Sequence, residues 1–466
     1  MSGGSRTAAV LIGAAAWLGL GGALAQTERI EERPAESGAR ETGEAAAAAR
    51  MLSSSPGGPV SFEALLGNPD DPDLNIRYAR QLIQANDLRG AVAALERVLL
   101  LRPGLAGVRL AYAVLLFRLD SLQEAEIAFR EVLAGEPEPA ARREVERYLD
   151  AIAMRHRSTR VSLSLSGGFD FNSNRNAAPR SRERLLFDIP LRSERARSDF
   201  GRIGMANLQV RHDPGLQERH ELLGGVGLYF NDQREIDSQD LLALTLDAGG
   251  ILRTAWFDIS PSFTYTRIGL DGSHFLDAPG GRLAIDRRDG DLDMQGSIQV
   301  QYFDFEPSVA FPTEDRRDGL RVDLGLSLGY RLAAAHRSAI SYVHSVKSAR
   351  AEFEAYHADE VTLSHTWLLG DGQFLLGSFS FIDTRYEAAD TFISARIRHD
   401  RFYRLRAIYG APVGTLARAA GFDLPTGIGD VTVSLLAEAT RADSSIPNFA
   451  NDNLRTQLLL TKRFDW

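Results

Sequence analysis

Leu320-Arg321-Val322-Asp323-Leu324-Gly325-Leu326-Ser327-Leu328-Gly329-Tyr330 decides the fold. Its even positions are apolar and its odd positions are polar or glycine. A period of two puts those classes on opposite faces of a strand, and the run is longer than the usual strand of a soluble protein. Upstream, Val161, Leu163, Leu165, Phe169 and Phe171 alternate with Ser162, Ser164, Ser166, Asp170 and Asn172. Met294, Ile298, Val300 and Tyr302 alternate with Gln295, Ser297, Gln299 and Gln301. Downstream, Val431, Val433, Leu435, Ala437 and Ala439 alternate with Thr432, Ser434, Glu438 and Thr440. Such an apolar face meets a core in a sandwich and lipid in a transmembrane barrel, whose polar face lines the lumen. Strand length and aromatic residues near strand ends (Tyr229, Phe230, Tyr302, Tyr330, Tyr409) favour the barrel, which carries aromatic girdles at both interfaces.

Fourteen segments carry the pattern: 159–172, 203–212, 218–231, 240–251, 254–268, 280–286, 293–305, 318–331, 336–348, 359–369, 372–384, 396–410, 429–441 and 452–466, the sixth being the weakest. An even number of antiparallel strands returns both ends of a barrel to one side. Asp213-Pro214-Gly215 and Gly370-Asp371-Gly372 read as tight turns on that side, and 173–202, 306–317 and 442–451 as longer outside loops. The connection 411–428 is long where a short turn belongs, with room for a short helix at Leu416–Ala420.

Residues 71–157 read as helix with a repeat of 34: Ala79 recurs as Ala113, Leu82 as Leu116, Ala91 as Ala125, Leu95 as Phe129, Val98 as Val132 and Pro103 as Pro137. Small residues where two helices meet, a large apolar residue four later and a terminating proline match the tetratricopeptide repeat. Ala140 to Arg157 reads as a capping helix. Inner-helix residues Ile76, Ile83, Leu110, Val114 and Phe117 are the candidates for a client-binding groove.

The whole is a two-domain α + β chain. Arg6, the apolar run Ala8–Leu20 and Ala23-Leu24-Ala25 have the layout of a signal peptide over 1–25. Residues 26–70, rich in Ala, Glu, Arg, Ser, Pro and Gly, read as a flexible linker, with a short helix around Ala45–Leu52. The tetratricopeptide module follows over 71–157 and an outer-membrane barrel of about 14 strands over 158–466. Beyond residue 25 no apolar stretch reaches helix-spanning length, so a second entry into a membrane requires a closed barrel. The expected location is the cell outer membrane, with the helical module in the periplasm.

The net charge of -9 excludes nucleic acid as a natural partner, since phosphate binding needs a basic face. The absence of cysteine excludes disulfides, thiol catalysis and thiolate metal sites. Gly224-Gly225-Val226-Gly227 is strand glycine with no helix after it, and the histidines show no metal spacing on one helix. The acidic set Asp286, Asp289, Asp291 and Asp293 reads as mostly solvated loop. No nucleophile–base constellation is present, so no enzyme, no metal and no cofactor is expected.

Gly168-Phe169-Asp170-Phe171-Asn172-Ser173-Asn174-Arg175-Asn176-Ala177-Ala178-Pro179 closes the first strand. It resembles the start of the barrel in the surface lipoprotein assembly modulator (Slam) family, where a D-x-N-x-N stretch leads into the first outside loop; Asp170, Asn172, Asn174 and Asn176 stand at its polar positions. Asn453-Leu454-Arg455 through Arg463-Phe464-Asp465-Trp466 resembles that family's final strand, and Arg398-His399-Asp400 is a fainter likeness. The resemblance implies protein export: members carry surface lipoproteins, or some soluble heme-binding proteins, from the periplasm across the outer membrane. The partners then expected are an exported client, the barrel insertion machinery and outer-membrane lipid. Leu454, Leu458, Leu460, Phe464 and Trp466 share one face of the last strand, with Lys462 interrupting it, in the form that machinery reads. A polysaccharide-export or other porin-like channel is the alternative class.

Overall fold

A computed structural model describes residues 60, 62–85, 87–156, 158–216, 220–308, 312–422, 424–425 and 427–466. The expected signal peptide, most of the expected linker and the helix expected at Ala45–Leu52 lie outside the described residues. The described residues form two compact units, which divide between Arg157 and Ser158.

The first unit is helical: α1 (Phe62–Gly67), α2 (Pro72–Gln84), α3 (Leu88–Leu101), α4 (Ala106–Arg118), α5 (Leu122–Ala134) and α6 (Pro139–His156). Residues 62–67, inside the stretch expected as linker, are thus helical, and Leu65 is buried. Asp71 starts α2: its carboxylate accepts the backbone N–H of Asp73 at 2.9 Å and of Leu74 at 3.3 Å, and Pro72 supplies the fixed φ of a first turn. α2 and α4 open 34 residues apart, as do α3 and α5. The recurring alanines Ala79, Ala91, Ala113 and Ala125 are fully buried, because a methyl is all that fits where the helices approach. α6 docks through Tyr148, whose ring stacks on Phe129 at 4.9 Å and meets Phe117 edge-on at 5.2 Å.

The second unit is a closed antiparallel barrel. Its strands are β1 (Thr159–Asn172), β4 (Asp199–His212), β5 (Glu221–Gln233), β6 (Leu241–Arg253), β7 (Asp258–Leu270), β8 (Ser273–Asp289) and β9 (Leu292–Phe305), followed by β10 (Gly319–Ala333), β11 (His336–Lys347), β12 (Tyr356–Gly370), β13 (Gln373–Tyr386), β14 (His399–Pro412), β15 (Thr432–Ser444) and β16 (Asn451–Asp465). Two short strands, β2 (Glu183–Leu186) and β3 (Ile189–Arg192), form a hairpin in the connection after β1. Fourteen strands therefore close the ring, each paired with the next, and β1 pairs with β16.

The alternation read from the sequence is an outside–inside alternation. Leu324, Leu326 and Leu328 are half or more exposed, while Arg321 and Asp323 at the alternate positions of the same strand turn inward, and Ser345 Oγ of β11 donates to Asp323 at 2.5 Å. Large apolar side chains pointing away from the protein on strand after strand are the mark of a barrel built for lipid. Among the described residues no helix is long and apolar enough to cross a membrane.

Three details depart from expectation. The weak sixth segment is the middle of β8, the longest strand. A register shift between Ile268 and Gly269 on β7 and the Pro279-Gly280-Gly281 run break its alternation. The inner face is not polar throughout: Phe275, Leu276, Ile203, Ile268, Leu270, Phe303 and Phe305 are buried together inside one part of the wall. Tyr229 belongs to no girdle. Phe230, Tyr302 and Tyr330 are exposed, but Tyr229 is the strand neighbour of Phe230 and must point the other way, into the lumen.

The long connection after β14 contains α7 (Val413–Ala419), close to the helix expected at Leu416–Ala420. It is tied down by Gly414 N–H to Gly429 O (2.9 Å) and by Thr415 Oγ1 to Asp371 O (2.9 Å) in the neighbouring turn. Lys462, on the outward face of β16, meets Asp430 of that connection, so its charge is paired. Asp286 and Asp293 sit in strands and not in loops, where Asp286 accepts from Gln295 and Asp293 from Arg288 and Arg337.

Candidate functional site

β1 ends in Asp170-Phe171-Asn172, and its even positions face the lumen. Asp170 is 1% exposed. It accepts Arg455 Nε at 2.7 Å and Nη2 at 3.3 Å from β16, and Asn231 Nδ2 at 3.0 Å from β5, with Arg175 Nη1 at 3.8 Å. A buried carboxylate persists only when paired and hydrogen-bonded. One side chain therefore links the first strand, the last strand and a strand two places round the wall.

The asparagines continue the same construction into the loop. Asn172 Oδ1 accepts the N–H of Asn174 at 3.0 Å. Asn174 Nδ2 donates to Ala178 O (3.1 Å) and Asp452 O (3.0 Å), and its Oδ1 accepts Ala178 N–H (2.8 Å). Asn176 bridges the base of the loop, donating to Arg195 O at 3.0 Å and accepting Arg197 N–H at 2.9 Å. An amide carries both a donor and an acceptor, so it can stand in for a missing strand partner. Asp170, Asn172 and Asn174 of the D-x-N-x-N stretch, with Asn176 two residues on, thus fold and anchor the first loop. Among the described residues no group of three or more His, Asp or Glu is placed to hold a metal ion.

The seam between β1 and β16 is paired along its length, from Ser162 opposite Asp465 to Asn172 opposite Arg455. Val161 and Trp466 exchange backbone bonds of 3.1 and 2.8 Å beyond that. At Gly168 the backbones are so close that a Cβ would lie 1.9 Å from Leu458 O, so only glycine fits without a shift.

Above the seam the first loop is fastened to its neighbours. Arg180 Nε donates to Asp452 at 2.6 Å and Nη1 to Asp443 at 2.9 Å, which holds the guanidinium above its usual pKa, Asp452 contributing most. On β2, Leu185 exchanges bonds of 2.6 and 3.0 Å with the Asn448 side chain. The hairpin turn is Phe187-Asp188. Phe187 N–H donates to Phe392 O at 2.9 Å, and Asp188 N–H to Ile393 O at 3.0 Å. The Asp188 carboxylate accepts Ala395 N–H at 2.9 Å and Ser394 Oγ at 2.5 Å; these bonds, the Ala395 amide foremost, hold it below the usual carboxylate range.

Arg455, Asn231, Arg180, Asp188 and Asn448 were not singled out in the sequence. Arg455 stood within the final-strand stretch quoted from the sequence, but nothing there marked it as the partner of Asp170. On the neighbouring inner wall Arg406 donates to Glu438 at 2.5 and 2.9 Å, a further pair that spacing alone did not suggest. Adjacent strands also bring His336 and His365 within 3.2 Å.

In the helical unit, Ile76, Ile83, Leu110, Val114 and Phe117 are all buried and belong to the helical core. They pack helix against helix.

No protein-family model matches this chain, and no curated protein does. Solved structures do. OmpTdeltaL8, a loop L8 deletion mutant of OmpT and an outer membrane protein of Vibrio cholerae, is 9% identical with a TM-score of 0.35, over 66% of this chain and 100% of that one. The outer membrane protein opdK of Pseudomonas aeruginosa is 10% identical with a TM-score of 0.31, over 66% and 99%. OccK7 (OpdD) of the same organism is 11% identical with a TM-score of 0.31, over 66% and 99%.

Proposed function

We propose that the chain is an outer-membrane translocator that delivers a surface lipoprotein or a secreted protein, a heme-binding one among the candidates, from the periplasm to the cell surface. The observation that carries this reading is a juxtaposition. The two segments resembling the surface lipoprotein assembly modulator family, 168–179 and 453–466, lie at opposite ends of the barrel sequence, yet Asp170 of one meets Arg455 of the other at 2.7 Å. They form one structure, the closure of the barrel and the base of its first outside loop. In this reading the helical unit lies in the periplasm and captures the client, and the barrel provides its passage. Capture falls to surface residues of that unit, because the five side chains expected to line a groove are core.

Deletion of 71–157 tests it: the barrel still assembles, while display of the client, measured by surface labelling of intact cells, is lost. Normal display in the deletion refutes the reading. The porin-like alternative draws on the polar parts of the inner wall, such as Gln299, Gln301, Ser327 and Thr362. A large saccharide-blockable conductance of the purified barrel in a planar bilayer favours it.

A further inference from the structure

The β2–β3 hairpin ends in an apolar tip that is bonded through its backbone to the facing loop yet leaves its side chains exposed. Leu186, Phe187, Ile189 and Leu191 are 46, 58, 60 and 47% exposed, and Phe392 of the facing loop, 5.6 Å from the Phe187 ring, is 56% exposed. A side chain left in water by chance is ordinary, but this is a contiguous patch. Its backbone is also specialised. Phe187 and Asp188 have φ of 54° and 61°, the pairing of a two-residue hairpin turn that Asn-Gly adopts readily and a bulky aromatic does not. The Asp188 bonds to Ala395 and Ser394 hold that turn in place, and with it an exposed phenyl ring.

We infer that this tip is a docking surface for a polypeptide that presents an apolar face flanked by acidic side chains; the inference rests on the export reading and makes the client the natural occupant. Charge selects the acidic partner. The chain is acidic overall, at -9, but residues 173–198 carry seven arginines against Glu183, Asp188 and Glu194. Arg175 and Arg180 are paired with Asp170, Asp452 and Asp443, while Arg182, Arg192, Arg195 and Arg197 are exposed in the same loop, toward the base of the hairpin.

Position selects protein over lipid. Along β13 the outward row Phe379 and Phe381 gives way to Asp383 and Arg385, and Asp383 pairs with Arg385 (3.0 Å), His399 (2.7 Å) and Arg401 (3.5 Å). Phe392 lies in the loop beyond this charged collar, out of reach of acyl chains at the level of the apolar belt. Recognition is by side chains and not by strand addition. Asn448 occupies backbone groups of β2 at Leu185, and Pro190 removes a donor from β3.

The test uses the full chain in lipid nanodiscs and a short amphipathic helical peptide with leucine on one face and glutamate beside it. Fluorescence anisotropy is expected to show binding, and Phe187→Asn and Ile189→Ser each to weaken it about tenfold. Phe187→Asn is the decisive variant, because asparagine suits the turn better than phenylalanine and the hairpin survives it. A matched peptide with lysine for glutamate should not bind. Absence of binding to the glutamate peptide, equal binding by the variants, or equal binding of the lysine peptide overturns the inference. So does transfer of the effect to anionic lipid vesicles, or self-association of the chain through Phe187. Client display in cells reads delivery and the peptide reads docking, so failure of the docking inference and failure of the export reading are told apart.

Discussion

The two units of this chain place the same side chains in opposite surroundings. In the helical unit Leu95, Leu115 and Phe129 are fully buried; in the barrel Leu326 is 65% exposed and Phe169 64%. Hydrophobicity alone does not separate the two cases. The architecture does: these helices cover their apolar stripes with each other, whereas this closed sheet turns its apolar face out, and the arrangement is stable only if the surroundings are themselves apolar. The contrast also assigns the polar groups. Those of the barrel turn inward and must satisfy one another there, which is why Asp170, Arg455 and Asn231 form a network.

Truncation breaks this contrast most directly. Phe129→Ala removes a ring from a closed core and is expected to destabilise the helical unit by about 3–5 kcal/mol. Leu326→Ala leaves no cavity, since a lipid chain fills the space, and its cost in vesicles stays well below that. Leu326→Arg restores a large penalty, about 2–4 kcal/mol if the residue lies near the bilayer midplane. Urea unfolding of the full chain in lipid vesicles, followed with separate probes for each unit, measures all three. Equal costs for the two alanine variants would mean that Leu326 packs against protein.

The inner network sharpens the contrast from the other side. Asp170→Ala leaves the Arg455 guanidinium buried without its carboxylate, at a cost of about 3 kcal/mol or more, in the barrel alone. Replacing both partners, as Asp170→Leu with Arg455→Met, removes the stranded charge and should recover much of the loss. The same vesicle unfolding assay reports it. A double variant as unstable as the single one would assign the pair a role in shaping the seam beyond its charge.

The alternation of 320–330 was legible because it is local, and two residues suffice to define a face. The 34-residue spacing was legible for another reason, recurrence, since helices open again 34 residues on and the alanines at the repeated positions are buried. The seam was not legible, since Asp170 and Arg455 meet only once the ring closes, although both lie in stretches that the sequence made conspicuous. Tyr229 was misread because proximity to a strand end was weighed above parity. β8 was read short because a register shift and the Pro279-Gly280-Gly281 run interrupt its period. The groove residues Ile76, Ile83, Leu110, Val114 and Phe117 are another case: helical periodicity identifies an apolar stripe but not whether another helix covers it, and all five are buried in the helical core.

The smallest expected effect concerns the loops, which are exposed like the belt yet held by polar bonds like the lumen. Asp188 is ionised more readily in the folded loop than in an unstructured chain, because the Ala395 N–H and the Ser394 hydroxyl both favour the carboxylate. Its folded pKa is depressed, so the clamp contributes fully above the ordinary carboxylate range and is lost only as pH falls through the lower, folded value. The chain has no cysteine, so spin labels on single cysteines placed at Ser181 and Ala388 report the separation of the two loops without background. The separation should hold from neutral pH down through the ordinary carboxylate range and widen only below it. Asp188→Asn should respond little to pH across the same window. Widening already at the ordinary carboxylate value would show that the carboxylate gains nothing from those two donors, and that other bonds between the loops hold the hairpin in place.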